Sequence, residues 1–339
     1  MKIAVFGWYG HDNAGDERIK YCLESFLIGL GGIDRVDFFD LHEEAIGGYT
    51  NKFNDYNLVI IGGGGLILSQ HNYHDFILGI QTKIVTLGIS VETTLKGNPK
   101  KFAKALLSKS SAFLVRDHGS YEKLLSLGGS EKVKVSSDLT FLLPYNKITK
   151  TNSDTIGINL FPKTITSSHF KRKFQGTLGN YLNSFQPKVL DFSIAIEELH
   201  HLKKNLLPIA LYCDKKLSVT QDFQMNDTQY MLKYFKKVPE SFIHEDINKC
   251  KLIFSMRLHG LIFSIQKGIP FITLDSYPKQ ANLMKELNLS DYLIKANKLG
   301  DIKWIIDKLY ADENSVLDRI LYYREKAIYK IKRDIISIL

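Results

Sequence analysis

Residues 58–65 read Leu58-Val59-Ile60-Ile61-Gly62-Gly63-Gly64-Gly65, four large apolar residues running straight into four glycines. The apolar run leaves no polar face, so it reads as a strand covered on both sides rather than one half-exposed to water. Strands of that kind belong to parallel sheets flanked by helices. The glycines cost chain entropy, which implies a requirement at the strand end. Either backbone N–H groups face a ligand there, or two domains pack closely. No Gly-Lys-Ser/Thr follows, which argues against a nucleotide P-loop.

Working outward, similar short runs alternate with helical stretches along the whole chain. In the first half they are Ile3–Gly7, Val36–Leu41, Leu58–Ile61, Lys83–Ile89, Ala112–Arg116 and Lys132–Ser136. The pattern restarts with Thr155–Phe161, Leu207–Cys213, Leu252–Met256 and Pro270–Leu274. Between the two sets, Pro144–Ser153 is polar and aperiodic and reads as a linker. The expected fold class is therefore α/β, with two doubly wound Rossmann-like domains facing a cleft. Their bounds are placed at 1–146 and 154–313, and a C-terminal amphipathic helix at 314–339. In such sheets ligands bind outside the carboxyl ends of the strands, so chemistry is sought there.

Composition narrows the class. The 339 residues are 44% hydrophobic and 24% charged, as in a folded globular protein. No run approaches the roughly 20 apolar residues that span a bilayer. The opening MKIAVFGWYG reads as a first strand, not a secretion signal. Cys22, Cys213 and Cys250 lack metal spacing and read as reduced thiols, so a cytoplasmic location is expected. Net charge is +9, unevenly spread. Residues 1–146 hold 15 Lys+Arg against 16 Asp+Glu, and residues 147–339 hold 30 against 20. The basic half suits an anionic partner: a phosphorylated small molecule, a membrane surface or nucleic acid. The 17 Tyr and 20 Phe lie mostly in apolar runs and read as core rather than as base-stacking platforms, which argues against nucleic acid.

Near the C-terminus, Leu317, Ile320, Leu321, Ile328, Ile331, Ile335 and Ile338 recur at helical spacing opposite a face rich in Lys and Arg. That helix either packs back on the first domain or rests on anionic lipid at the inner face of a membrane.

Four segments carry candidate chemistry. Gly7-Trp8-Tyr9-Gly10-His11-Asp12-Asn13-Ala14-Gly15-Asp16-Glu17 follows the first strand, with Asp16 placed to cap the next helix. The glycines of residues 62–65 form the second. The third is Leu114-Val115-Arg116-Asp117, where an Arg at a strand end either recognises carboxylate or phosphate bidentately or pairs with Asp117 or Asp138. The fourth joins Ser255-Met256-Arg257-Leu258-His259-Gly260 to Lys279. A helix over Leu258–Lys267, capped by Gly268, puts Arg257 and His259 at its N-terminus, which favours anions. Lys279 falls on the same rim after the next strand. His71-Asn72-Tyr73-His74 has no third ligand and reads as a polar loop, and His200-His201 as helix surface, so no metal site is expected.

In order along the chain, Gly7…Asn13-x-Gly15-Asp16-Glu17, Leu58–Gly64, Val115-Arg116-Asp117, Ser137-Asp138 before Phe141, Arg257-Leu258-His259-Gly260 and Pro278-Lys279 resemble the polysaccharide pyruvyltransferase family. The resemblance implies a two-domain fold like that of cleft-type (GT-B) glycosyltransferases and phosphoenolpyruvate as donor substrate, with no cofactor. It implies that Arg116, Arg257, His259 and Lys279 surround the donor. Gly10, Asn13, Gly15, Glu17, Gly63, Gly64 and Leu258 are expected to line the substrate site. Where the family often has Tyr three residues before the Lys, this chain has Ser276. His259 is the matched group able to deliver a proton near neutral pH. Asp16 and Glu17 are candidates to orient or deprotonate the hydroxyls of a saccharide acceptor, lipid-linked or free. The competing reading is a nucleotide-sugar glycosyltransferase, although no Glu-x₇-Glu pair is present in the second half.

Overall fold

The computed structural model describes residues 1–67, 73–129, 132–147, 153–163, 189–213 and 226–339. Among the described residues two parallel sheets form. The first contains β1 (Lys2–Gly7), β2 (Arg35–Asp40), β3 (Leu58–Ile67), β4 (Ile84–Val91), β5 (Ser110–Val115) and β6 (Val133–Val135), in the order β2-β1-β3-β4-β5-β6. The second contains β7 (Thr155–Asn159), β8 (Asn205–Pro208), β9 (Cys250–Ser255), β10 (Phe271–Leu274) and β11 (Leu293–Ile294), in the order β11-β10-β9-β7-β8. Helices α1 (Ala14–Gly29), α2 (Leu41–Gly47), α3 (His74–Gly79), α4 (Gly97–Lys109) and α5 (His118–Leu125) accompany the first sheet. With the second go α6 (Ser193–His201), α7 (Asp227–Met231), α8 (His244–Asn248), α9 (Leu258–Lys267), α10 (Pro278–Glu286) and α11 (Ile302–Ala311), followed by α12 (Glu313–Ile336).

Numbered from its own first strand, the first sheet runs 2-1-3-4-5-6 and the second 2-1-3-4-5. The order reverses between the first and third strands, β1/β3 and β7/β9, and a crevice opens at each reversal. Side chains alternate between two cores. Ile3, Val5, Leu58 and Ile60 pack with Ile19, Leu23 and Leu27 of α1. Ala4, Phe6, Val59 and Ile61 pack on the other face with Phe53, Phe76 and Phe102. This two-residue period, apolar on both faces, is the physical content of the run at residues 58–61.

The structure corrects the sequence reading at several points. The four glycines do not follow β3; they lie inside it, with a register irregularity against β4 between Gly64 and Ile67. They face neither the second half nor open space. Gly63 and Gly64 have φ of +81° and +78°. A Cβ on Gly63 would meet Ile19 of α1 at 2.5 Å, one on Gly64 would meet Asp16 Oδ1 at 2.7 Å, and one on Gly65 would meet Glu92 Oε1 at 2.1 Å. The run makes room for side chains of its own half. The strand expected over Leu207–Cys213 begins at Asn205 and ends at Pro208, which has no N–H for the ladder. β11, with two residues, was too short to signal itself.

The halves are sewn together along two seams. On one, Gln266 donates to Thr140 Oγ1 (2.9 Å) and accepts from the Tyr145 amide (3.1 Å). α12 straps this seam. Its Ile320, Ile331 and Ile335 are buried, and Arg324 donates to the carbonyls of Gln266 (2.7 Å) and Tyr145 (3.2 Å). Ser136 Oγ donates to Asp334 at 2.8 Å. The helix thus packs on both halves rather than on the first alone. Its apolar stripe is turned toward protein, so the lipid contact expected through that stripe is not what the structure shows; Tyr322 and Tyr329 face outward. On the other seam, Ala14 N–H donates to Leu211 O (2.8 Å), Cys213 N–H to Asp12 O (3.1 Å), and the Trp8 indole to the Tyr212 hydroxyl (2.8 Å).

Pro144–Ser153 lies between the sheets, with 148–152 outside the described residues. His71 and Asn72 also lie outside them, while His74 opens α3 and His200-His201 are exposed at the end of α6. No helix among the described residues is long and apolar enough to cross a membrane.

Candidate functional site

β9 ends at Ser255, whose hydroxyl accepts from the Arg257 amide at 3.1 Å, and Arg257 becomes the extended N-cap of α9. Gly260 keeps that first turn tight on the strand, since a Cβ there would meet Ser255 Oγ at 2.2 Å. Gly268, with φ +72°, ends the helix in the left-handed conformation. These local signals aim His259 across the cleft. A Cβ on Gly15 would sit 1.7 Å from His259 Nδ1, so the absent side chain at Gly15 admits the imidazole to the first half. On the other side of the ring, Nε2 lies 3.5 Å from Asp138 Oδ2, close enough for an ion pair but without hydrogen-bond geometry.

Asp138 is buried and fully used. Its Oδ1 accepts from the amide (3.0 Å) and hydroxyl (2.9 Å) of Thr140, and its Oδ2 accepts from Arg116 Nη1 at 3.1 Å. Burial alone would raise its carboxyl, but His259 and Arg116 outweigh that and hold it well below the ordinary carboxylate range. Arg116, 7% exposed, also donates to Ser90 Oγ (2.8 Å) and Glu92 Oε1 (3.3 Å). Its fork was expected to clamp a ligand. In the structure it lies beneath the rim and is spent on carboxylates, the ion-pair alternative extended to Glu92.

Asp16 corrects a second expectation. The cap of α1 is Asn13, whose side chain accepts from the Gly15 amide at 3.1 Å. Asp16 instead points inward from the first turn toward Gly64. Burial pushes its carboxyl up to about 6, against the lowering pull of His259, Arg116 and Lys279, while Asp138 adds to the rise. Glu17 braces the turn by accepting from the Gly10 amide at 2.6 Å.

Lys279 stands in the first turn of α10, and its ammonium donates to both Glu92 oxygens at 2.9 Å. Burial would raise the Glu92 carboxyl, but Lys279 and Arg116 bring it below its usual value. Arg257 is held differently. Its Nε and Nη2 donate to Asp227 Oδ1 at 3.0 and 2.6 Å, with the guanidinium over the rings of Phe161 (4.4 Å) and Tyr212 (5.1 Å). Tyr277 stacks on Phe161 at 5.7 Å between Arg257 and the Lys279–Glu92 pair.

The structure therefore gathers Gly15, Asp16, Gly64, Arg116, His259 and Lys279 at one place, with Leu258 lining the adjoining wall. Gly10, Asn13 and Glu17 build the turn behind them, and Arg257 sits on the neighbouring rim. Gly63 faces Ile19 of α1. Lys279 lines two pockets. One, of ≈ 360 Å³, has Ser90, Glu92, Lys123 and Asn282 in its walls. The other, of ≈ 370 Å³, has Arg116, Asp138 and Leu258.

Sequence reasoning missed Glu92, Asp227 and Lys163, whose ammonium donates to Ser276 O at 2.6 Å and lies 3.9 Å over the Tyr277 ring. Glu92 had a usable signal. It is a charged residue directly after a buried strand, the rule that found Arg116, but the strand had been ended at Ile89. Asp227 had none, because it reaches Arg257 from a separate five-residue helix.

Residues 13–277 match the family described as polysaccharide pyruvyl transferase. No curated protein matches the chain. Among solved structures, it is similar to UDP-GlcNAc 2-epimerase from Neisseria meningitidis bound to UDP-GlcNAc, at 11% identity and TM-score 0.59, over 100% of this chain and 99% of that one. S. aureus MnaA with UDP gives 14% identity and TM-score 0.53 over 99% and 94%. UDP-GlcNAc 2-epimerase from Methanocaldococcus jannaschii gives 13% and 0.50 over 92% of both chains. At these identities the likeness shows the fold, two Rossmann-like domains in the GT-B arrangement.

Proposed function

The chain belongs to the polysaccharide pyruvyl transferase family, a family of transferase enzymes, and from that premise we propose that it is a ketal pyruvyltransferase. It moves the pyruvyl group of phosphoenolpyruvate onto two hydroxyls of a saccharide in a cell-surface or exopolysaccharide precursor, releasing phosphate. The observation that carries this reading is the meeting of His259 and Lys279 from one half with Asp16 from the other, the imidazole backed by Asp138.

The reaction needs those groups. The donor's methylene must gain a proton to become a methyl, its central carbon must bond two acceptor oxygens, and the bond to the phosphate oxygen must break. Two hydroxyl protons are released; one is matched by the methyl and the other leaves on phosphate. His259 delivers the proton to the methylene as general acid, held in place by Asp138. Asp16, its carboxyl near 6, takes a proton from an acceptor hydroxyl at neutral pH. Lys279 and Arg257 meet the donor's phosphate and carboxylate. On this reading residues 154–313 form the donor side and 1–146 the acceptor side, with 314–339 as the strap.

UDP and UDP-GlcNAc in the similar structures keep a nucleotide-sugar glycosyltransferase as the second reading. Phosphate release from phosphoenolpyruvate across a panel of saccharide acceptors separates the two. Acceptor-dependent release supports the pyruvyltransferase; sugar transfer from a UDP-sugar, with no phosphate release, supports the alternative.

A further inference from the structure

Each guanidinium of the site is neutralised within its own half: Arg116 by Asp138, Arg257 by Asp227. The Lys279–Glu92 pair is different. Its partners come from opposite halves and meet in the wall of the pocket that also holds Ser90, Lys123 and Asn282. Both of its side chains are partly open to solvent, at 29% and 21%, against 5% and 4% for Arg116–Asp138 and 20% and 0% for Arg257–Asp227. Glu92 offers Lys279 two oxygens at equal distance, 2.9 Å, as the edge of a ligand carboxylate or phosphate would. Gly65 reserves the space for it. With its carboxyl held below the ordinary value by Lys279 and Arg116, Glu92 is a full negative charge at neutral pH.

We infer that Glu92 sets how tightly the site holds an anion, by competing for the ammonium of Lys279 and reclaiming it as inorganic phosphate leaves. The inference rests on the donor reading above and adds to it a residue that acts through Lys279. An ammonium with two of its protons on Glu92 shares only what remains with the incoming anion, and the nearby carboxylate repels that anion in a poorly screened pocket. A pyruvyl transfer that ends with phosphate on a cationic rim needs such a device, because uniform tight binding of a polyanion slows its release.

Glu92→Gln keeps the shape and removes the charge. Titration calorimetry with phosphoenolpyruvate and with inorganic phosphate should show both binding roughly tenfold more tightly to this variant than to the wild type. Phosphate should become a correspondingly stronger product inhibitor, while kcat falls as release slows. Glu92→Asp restores the charge and should return both affinities toward wild type. Unchanged or weaker binding of both anions to Glu92→Gln overturns the inference, as does a Glu92→Asp protein that binds like the Gln variant. Failure of the wild type to bind either anion would instead sink the donor reading beneath it.

Discussion

The two halves wind their strands in the same order, yet the rims they bring together carry opposite charge. At the crevice of the first half stand Asp16, Glu92 and Asp138, with Arg116 buried beside them and the Lys123 ammonium bound to the Val91 carbonyl. At the crevice of the second stand Arg257, His259, Lys279 and Lys163, with Asp227 buried under the arginine. Shared topology explains why each half has a crevice at that place. It says nothing about charge, which comes from a few residues just beyond the strand ends. The division of labour follows: the basic rim suits a polyanionic donor, and the acidic rim suits hydroxyls that must lose protons.

His259→Ala removes the group that bridges the rims and should have the largest effect. Transfer should fall about 10²–10⁴-fold, with cooperative melting retained because Arg116 and Thr140 still hold Asp138. Near-wild-type turnover would show that the proton comes from elsewhere. Next comes the donor side of the comparison. Arg257→Gln made together with Asp227→Asn leaves no buried carboxylate unpaired, and should weaken phosphoenolpyruvate binding by about 2–4 kcal/mol. The upward melting shift that the donor gives the wild type should then vanish; an equal shift in both proteins would remove Arg257 from the site.

Asp16→Asn tests the acidic rim through pH. The folded carboxyl titrates near 6 and the unfolded one near 3.8, so the fold favours the neutral form. That advantage is complete below 3.8 and is lost as pH rises through 6. Asparagine cannot ionise and keeps it. Measured by denaturant unfolding, the stability of the variant relative to wild type should climb between pH 4 and 6 and level off above, by about 3 kcal/mol. Its transfer activity should fall meanwhile. A flat difference across that range would mean that Asp16 is not strained by burial. The smallest effect is expected at Gly64→Ala, where the new Cβ meets Asp16 Oδ1 and φ is +78°. About 1–2 kcal/mol of stability should be lost, with turnover reduced through the displaced carboxylate. Unaltered turnover would detach Asp16 from the chemistry.

What could be read from the sequence was local. The turn from β9 into α9, the extent of that helix and its Gly268 cap matched because strand, turn and cap are each written within a few residues. The long-range partners were not legible. Arg257 carries no mark of its bond to Asp227, nor Lys279 of its bond to Glu92, since those depend on how separate elements meet. Asp16 illustrates the same limit. Its type and position suit a cap, but Asn13 reaches the Gly15 amide and α1 turns Asp16 toward Gly64 instead. The glycine run was found, and its purpose was not, because the side chains it accommodates come from α1 and from Glu92 just past β4.

The most direct measurement is a pair of calorimetric titrations on the purified wild-type chain, one with phosphoenolpyruvate and one with a UDP-sugar. The account predicts saturable binding of phosphoenolpyruvate and none of the nucleotide sugar. Saturable binding of the UDP-sugar, with no heat from phosphoenolpyruvate, would contradict it.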